Sequence, residues 1–104
     1  MTSRPMTSKQ RAYLKGIAMT TEPIMQIGKS ALTPEVTQAA EEAFHRRELI
    51  KISVLQNCLE DPHSMARILA DRTHSEVVQV IGKKIVLYRQ AREEKDRKIS
   101  LPHS

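Results

Sequence analysis

Gly28-Lys29-Ser30-Ala31, followed closely by Thr33 and Pro34, is the stretch whose residue types suit a definite chemistry, the holding of a phosphate. Glycine lets a backbone approach a ligand closely. Lys29 brings a cation, and Ser30 and Ala31 add no bulk. Thr33 is a good N-cap and Pro34 suits the first helical position, so the loop feeds a helix N-terminus. Such a terminus exposes unpaired N–H groups and the positive end of the peptide dipoles, which together attract anions. Other basic residues would widen the footprint: Lys9, Arg11 and Lys15 near the start of the chain, then Arg46, Arg47, Lys83, Lys84 and Arg89.

No comparable constellation supports acid–base or covalent chemistry. His45, His63, His74 and His103 are scattered, and no spacing sets two of them on one helix face. Glu41 and Glu42 are adjacent on a predicted helix, where neighbours diverge by about 100°; Glu93 and Glu94 fall in the C-terminal tail. HExxH, paired CxxC, phosphate-loop and GxSxG patterns are missing. Cys58, the sole cysteine, excludes an internal disulfide, fits a reducing cytoplasm and reads as a small, partly buried hydrophobe. The expectation is a protein with no catalytic residue, metal, cofactor or small-molecule substrate. No apolar run approaches membrane-spanning length, and MTSRPMTSKQR has no signal-peptide core. A cytoplasmic protein without a membrane partner is expected.

The 104 residues suit one domain with a modest core. Only Tyr13, Phe44 and Tyr88 are aromatic, so the core must be aliphatic, and the stacking platforms of many single-strand binders are largely missing. The net charge of +5 is unevenly spread. Residues 1–16 carry four bases and no acid, and residues 17–82 carry six bases against nine acids. Lys83 and Lys84 form a basic turn, and the chain from Arg89 has five bases and three acids. Basic segments on an otherwise balanced domain suggest a polyanionic partner.

The elements that must position these residues follow from periodicity. Residues 1–6 read as a flexible leader, 7–89 as a single domain and 90–104 as a charged tail in which Ile99 and Leu101 could fold back. Thr7 and Gln10 match a capping box for a helix burying Tyr13, Leu14, Ile17 and Ala18. Pro23 to Ile27 gives a short strand. Val36, Ala39, Ala40, Ala43 and Phe44 form the apolar stripe of a second helix, with Glu35 in its first turn and Arg46 and Arg47 in its last. Leu49 to Leu55 alternates as a strand, with Ile50, Ile52 and Val54 on one side. Asp61 and Pro62 start a third helix with Met65, Ile68 and Leu69 as its stripe. Glu76–Ile81 and Ile85–Tyr88 read as a hairpin across Gly82, Lys83 and Lys84. The order α-β-α-β-α-β-β predicts an α/β two-layer sandwich, a four-stranded mixed sheet packed with helices, its helix-flanking strands joined by crossovers that tend to give parallel pairs.

Two readings of different class remain on these residues. One is an RNA-binding module using the Gly28–Ala31 loop, the basic first helix and the Lys83–Lys84 turn. The other is a protein-interaction adaptor whose basic ends meet an acidic partner.

The segments LKGIA, PIMQIGKSALTPEV, HRRELIKISVL, SEVVQVIGKKIVLYR and KISLP, in this order from about Thr7 to Pro102, resemble the bacterial YhbY family. These are single-domain members of the CRM group, named for chloroplast RNA splicing and ribosome maturation. The resemblance implies a compact α/β domain similar to the C-terminal domain of a bacterial translation initiation factor. It also implies ribosomal RNA and large-subunit precursors as partners, since bacterial members associate with those precursors, and plant relatives bind intron RNA. It further implies a GxxG loop, compared with the RNA-contacting loop of KH domains, after the first strand. Here that loop is Gly28-Lys29-Ser30-Ala31, with alanine for the second glycine, and Ala31 is expected at ordinary backbone angles. The resulting expectation is a monomeric RNA-binding protein of large-subunit assembly.

Overall fold

The computed structural model describes residues 6–102. Most of the predicted leader, residues 1–5, lies outside them, as does His103; Met6 packs against the body.

Local signals account for the helices. In α1 (Ser8–Ala18) the Thr7 hydroxyl accepts the Gln10 N–H at 3.1 Å, and the Gln10 side chain accepts the Thr7 N–H at 3.2 Å. The capping box thus satisfies two donors at once. Thr33 and Asp61 cap α2 (Pro34–Phe44) and α3 (Pro62–Thr73), each with proline at the start. Two apolar residues are not where the sequence puts them. Tyr13 lies about 100° round the helix from the buried Leu14 and is 43% exposed. Ile68 is 44% exposed, because the buried stripe of α3 is Met65, Ala66, Leu69, Ala70 and Thr73, whose small members allow close approach to the sheet. Also, α2 stops at Phe44, so Arg46 and Arg47 follow it in a turn, both their N–H groups bonded to the Ala43 carbonyl at 3.0 Å.

The strands β1 (Met25–Ile27), β2 (Leu49–Val54), β3 (Glu76–Ile81) and β4 (Lys84–Tyr88) form one mixed sheet in the order β1-β2-β4-β3. β1 and β2 pair in parallel, and β4 is antiparallel to both β2 and β3. The second crossover therefore yields strands of like direction that do not touch, because β4 inserts between them. The hairpin turn is Gly82-Lys83, with Ile81 opposite Lys84. Gly82 has φ +56°, the glycine conformation that two-residue hairpins use at their first turn position. Val78 is an extra residue on β3: Val77 faces Leu87 and Gln79 faces Val86. Arg11 donates through Nη1 to the Val77 carbonyl, and to the Val78 carbonyl at 3.0 Å.

Helices lie on both faces of the sheet. Ile27, Ile50, Ile52, Val54, Ile85 and Leu87 meet Ala40 and Phe44 of α2 and Met65, Ala66 and Leu69 of α3. On the other face Leu49, Val78, Val86 and Tyr88 meet Leu14 and Ala18 of α1, joined by Ile17, Ile99 and Leu101. The C-terminal segment thus folds back, with one 3-10 turn at Glu94–Asp96. Glu48, 3% exposed, holds it: the carboxylate accepts the N–H groups of Ala91, Lys98 and Ile99 at 2.7, 2.8 and 2.9 Å. Three charge-assisted bonds offset the burial of that carboxylate. Among the described residues the buried Tyr88 hydroxyl has no hydrogen-bond partner. Burial, then the neighbouring Glu48 charge, pushes its pKa up to about 12.

Candidate nucleic-acid interface

β1 and β2 run parallel and stop together, and β4 starts beside them, so three loops share one end of the sheet. Backbone bonds tie them: Leu55 N–H to the Ile27 carbonyl at 2.8 Å and Val54 N–H to the Lys83 carbonyl at 2.7 Å. The sequence-predicted Gly28–Ala31 loop and Lys83–Lys84 turn thus come together here. Lys29, Ser30 and Lys83 are exposed, and Lys84 is half-buried as the first residue of β4. The starts of α2 and α3 lie at the same end, since each helix follows a strand that finishes there.

The loop closes as a turn, with Ala31 N–H bonded to the Gly28 carbonyl at 3.0 Å. Ala31 has φ +56°, which corrects the expectation of ordinary angles. Alanine in the left-handed region costs about 1–2 kcal/mol, a cost that glycine would not carry there. Gly28, by contrast, has no need of positive φ. A Cβ there would lie 3.7 Å from Leu55 Cδ1 and 3.8 Å from Asn57 Oδ1, ordinary contact distances. Folding alone does not demand glycine at position 28.

The helix N-termini offer less to an anion than the sequence suggests. In α2, Pro34 has no N–H, Thr33 Oγ1 takes the Val36 N–H at 3.2 Å, and Glu35 sets a carboxylate in the first turn. In α3, the Asp61 carboxylate accepts the Ser64 N–H and hydroxyl, both at 3.1 Å. Desolvation raises the Asp61 pKa, but the Ser64 bonds and His63 outweigh it and hold the pKa below its usual value. Attraction for a phosphate at this end therefore rests on Lys29, Lys83 and Lys84, with the loop amides in support.

The remaining predicted cations lie apart. Lys9 and Lys15 are exposed on α1, against the other sheet face. Arg11 is bound to the β3 carbonyls already described. Arg89 lies at the opposite end, where Nη1 meets both Glu41 carboxylate oxygens at 2.9 and 3.0 Å and the Thr73 carbonyl at 3.0 Å. Its guanidinium carbon stands 4.9 Å from the centre of the Phe44 ring. Exposed Arg46 and Arg47 are also at that end, lining a groove with Glu42 and His45. The sequence reading missed Leu55 and Asn57, which flank Gly28 from the β2–α3 connection; the only signal was their position after a strand. Among the described residues no three His, Cys, Asp or Glu side chains converge on a metal-sized site, and no helix is long and apolar enough to cross a membrane.

The CRS1 / YhbY (CRM) domain pattern matches residues 6–89. The chain is 42% identical over 97 residues to the Probable RNA-binding protein YqeI of Bacillus subtilis, covering 93% of this chain and 99% of that one. It is 34% identical over 97 residues to a Haemophilus influenzae protein named RNA-binding protein, covering 93% and 95%. The solution structure of hypothetical protein SAV1595 from Staphylococcus aureus is similar, with a TM-score of 0.77 and 41% identity, over 94% of this chain and all of that one.

Proposed function

The chain belongs to the CRS1/YhbY (CRM) domain family, and from that membership we propose that it binds RNA, without catalysing a reaction, at the end of the sheet bearing the Gly28–Ala31 loop. Its RNA is ribosomal, and it associates in the cytoplasm, as a monomer, with precursors of the large ribosomal subunit. The observation that carries the reading is that Lys29, Ser30 and Lys83 stand exposed on tied neighbouring turns. Names of the relatives as RNA-binding proteins support the polymer class.

The proposed mechanism is electrostatic docking followed by close backbone contact. Lys29 and Lys83 draw the phosphate chain in, and each neutralised phosphate releases counterions. The bare Gly28 backbone then lets a phosphate approach the Lys29 and Ser30 amides. Crosslinking in cells, followed by sequencing of the attached RNA, tests the assignment. Reads concentrated in large-subunit ribosomal RNA are expected. Recovery spread evenly over cellular RNA would overturn the ribosomal assignment, and binding that survives nuclease treatment would favour the adaptor reading.

A further inference from the structure

The strand registers align one residue from each strand into a single row: Gln26 opposite Ser53, Ser53 opposite Lys84, and Lys84 opposite Ile81. Side chains alternate between faces, and the flanking Ile27, Ile52, Val54 and Ile85 all point into the core beneath α2 and α3. The row therefore belongs to the opposite face. α1 covers that face only in part. Its last carbonyl, of Ala18, accepts Lys51 Nζ at 2.9 Å, and Lys51 lies one row short of Ser53. Gln26 and Ile81 are exposed, and Ser53 and Lys84 are half-buried.

The composition of the row is directional: an amide, a hydroxyl, an ammonium and one aliphatic chain, with no carboxylate. Its ends run into the cationic turns. Gln26 is two residues before Gly28, and Ile81 directly precedes Gly82-Lys83. Three spacings between four strands make it about 14 Å long.

We propose that this row is the base-contacting half of the interface and that its ligand is an unpaired stretch of RNA lying across the four strands. The proposal rests on the RNA-binding reading above. Phosphates lie toward Lys29, Lys84 and Lys83, while bases meet Gln26, Ser53 and Ile81. Gln26 and Ser53 each donate and accept hydrogen bonds, as base edges require. Ile81 gives the bases an apolar wall. With no aromatic residue in the row, recognition works through edges rather than stacking. In an A-form duplex the major-groove edges lie too deep for side chains, and the wide shallow minor groove is read mostly by shape and 2′-hydroxyls, so unpaired bases are what edge-reading side chains on a pleated surface suit.

The test measures affinity of the full chain for two probes, a mixed-sequence single-stranded RNA and a fully paired RNA hairpin, across a salt series. Gln26→Ala and Ser53→Ala should each lower single-strand affinity by about tenfold, the scale of one lost base-edge contact. Duplex affinity, salt slope and melting temperature should stay as in the parent. Lys84→Gln should reduce the salt slope by about one phosphate contact. Parent-like single-strand affinity in both Gln26→Ala and Ser53→Ala, or equal losses on both probes, would overturn the proposal. So would a photo-crosslinker at position 26 that captures protein and no RNA. Lys29→Glu separates the two readings: if it weakens both probes while the row variants change neither, the loop remains the site and the row is rejected. A parent chain that binds neither probe would overturn the RNA reading itself, and the row with it.

Discussion

At the end of the sheet where β1 and β2 stop, Lys29 and Lys83 extend into solvent from tight turns. At the end where β4 stops, Arg89 is held by the Glu41 carboxylate, the Thr73 carbonyl and the Phe44 ring. Both ends are basic in sequence; the first leaves Lys29 and Lys83 available to a ligand, whereas at the second Arg89 is engaged within the fold and the exposed cations, Arg46 and Arg47, share their groove with Glu42. The difference teaches that a basic residue indicates an anionic partner only when the fold has not already given it one. Arg11 makes the same point on the α1 face, where its donors satisfy the β3 carbonyls.

The sharpest way to break this contrast is at the fold-bound end. Phe44→Ala removes a ring that is 5% exposed and packs in the main core. It should lower the unfolding free energy by about 3–5 kcal/mol in urea titration; a loss below about 1 kcal/mol would mean the α2 register is wrong.

Tyr88 gives that end a pH signature. Its hydroxyl titrates near 12 in the folded chain, above the usual value of 10.0. Between these values the unfolded chain has lost a proton that the folded chain keeps, so stability is full below pH 10 and falls as pH rises toward 12. The expected slope approaches 1.4 kcal/mol per pH unit at most. Tyr88→Phe should remove this part of the alkaline loss; identical alkaline melts for both proteins would reject it.

Lys29→Glu and Arg89→Met should then behave as opposites. The first should weaken RNA binding by more than tenfold, about 1.4 kcal/mol, with an unchanged melting temperature. The second should cost about 1 kcal/mol of stability, a figure discounted for the half-exposed ion pair, with RNA affinity within about twofold of the parent. Reversed profiles would assign the interface to the Arg89 end.

The smallest effects lie inside the loop. Ala31→Gly relieves a positive φ and should stabilise the chain by up to about 1 kcal/mol. Gly28→Ala should leave stability unchanged within about 0.5 kcal/mol, because its Cβ meets only ordinary contacts. It should nonetheless reduce RNA affinity severalfold. Intact affinity would show that no phosphate approaches that backbone.

What the sequence revealed was local. The Thr7–Gln10 box, the Thr33 and Asp61 caps, the alternation of β2 and the Gly82 turn each depend on residues a few positions apart, and each was legible. The insertion of β4 between β2 and β3 depends on pairing across the sheet, which no window of residues carries. The engagement of Arg11 with Val77, 66 positions away, and of Arg89 with Glu41, 48 away, was invisible for the same reason. Ile68 misled because the hydrophobic pattern ranks size, whereas the tight α3 contact selected Ala66, Ala70 and Thr73. Ala31 misled because alanine rarely adopts a left-handed backbone, although it stands where the resembling loop has a glycine. At the candidate site, the loop and the turn were legible as separate basic stretches, and their adjacency was not.

The extra residue on β3 has a consequence beyond packing. β3 is the long outer strand of the sheet, the margin onto which a second copy of the chain could zip. The bulge at Val78 interrupts its regular register, and Arg11 engages the carbonyls of Val77 and Val78 beside it. The other margin, β1, is only three residues long. A short strand at one margin and a bulge at the other are both devices that discourage edge-to-edge growth.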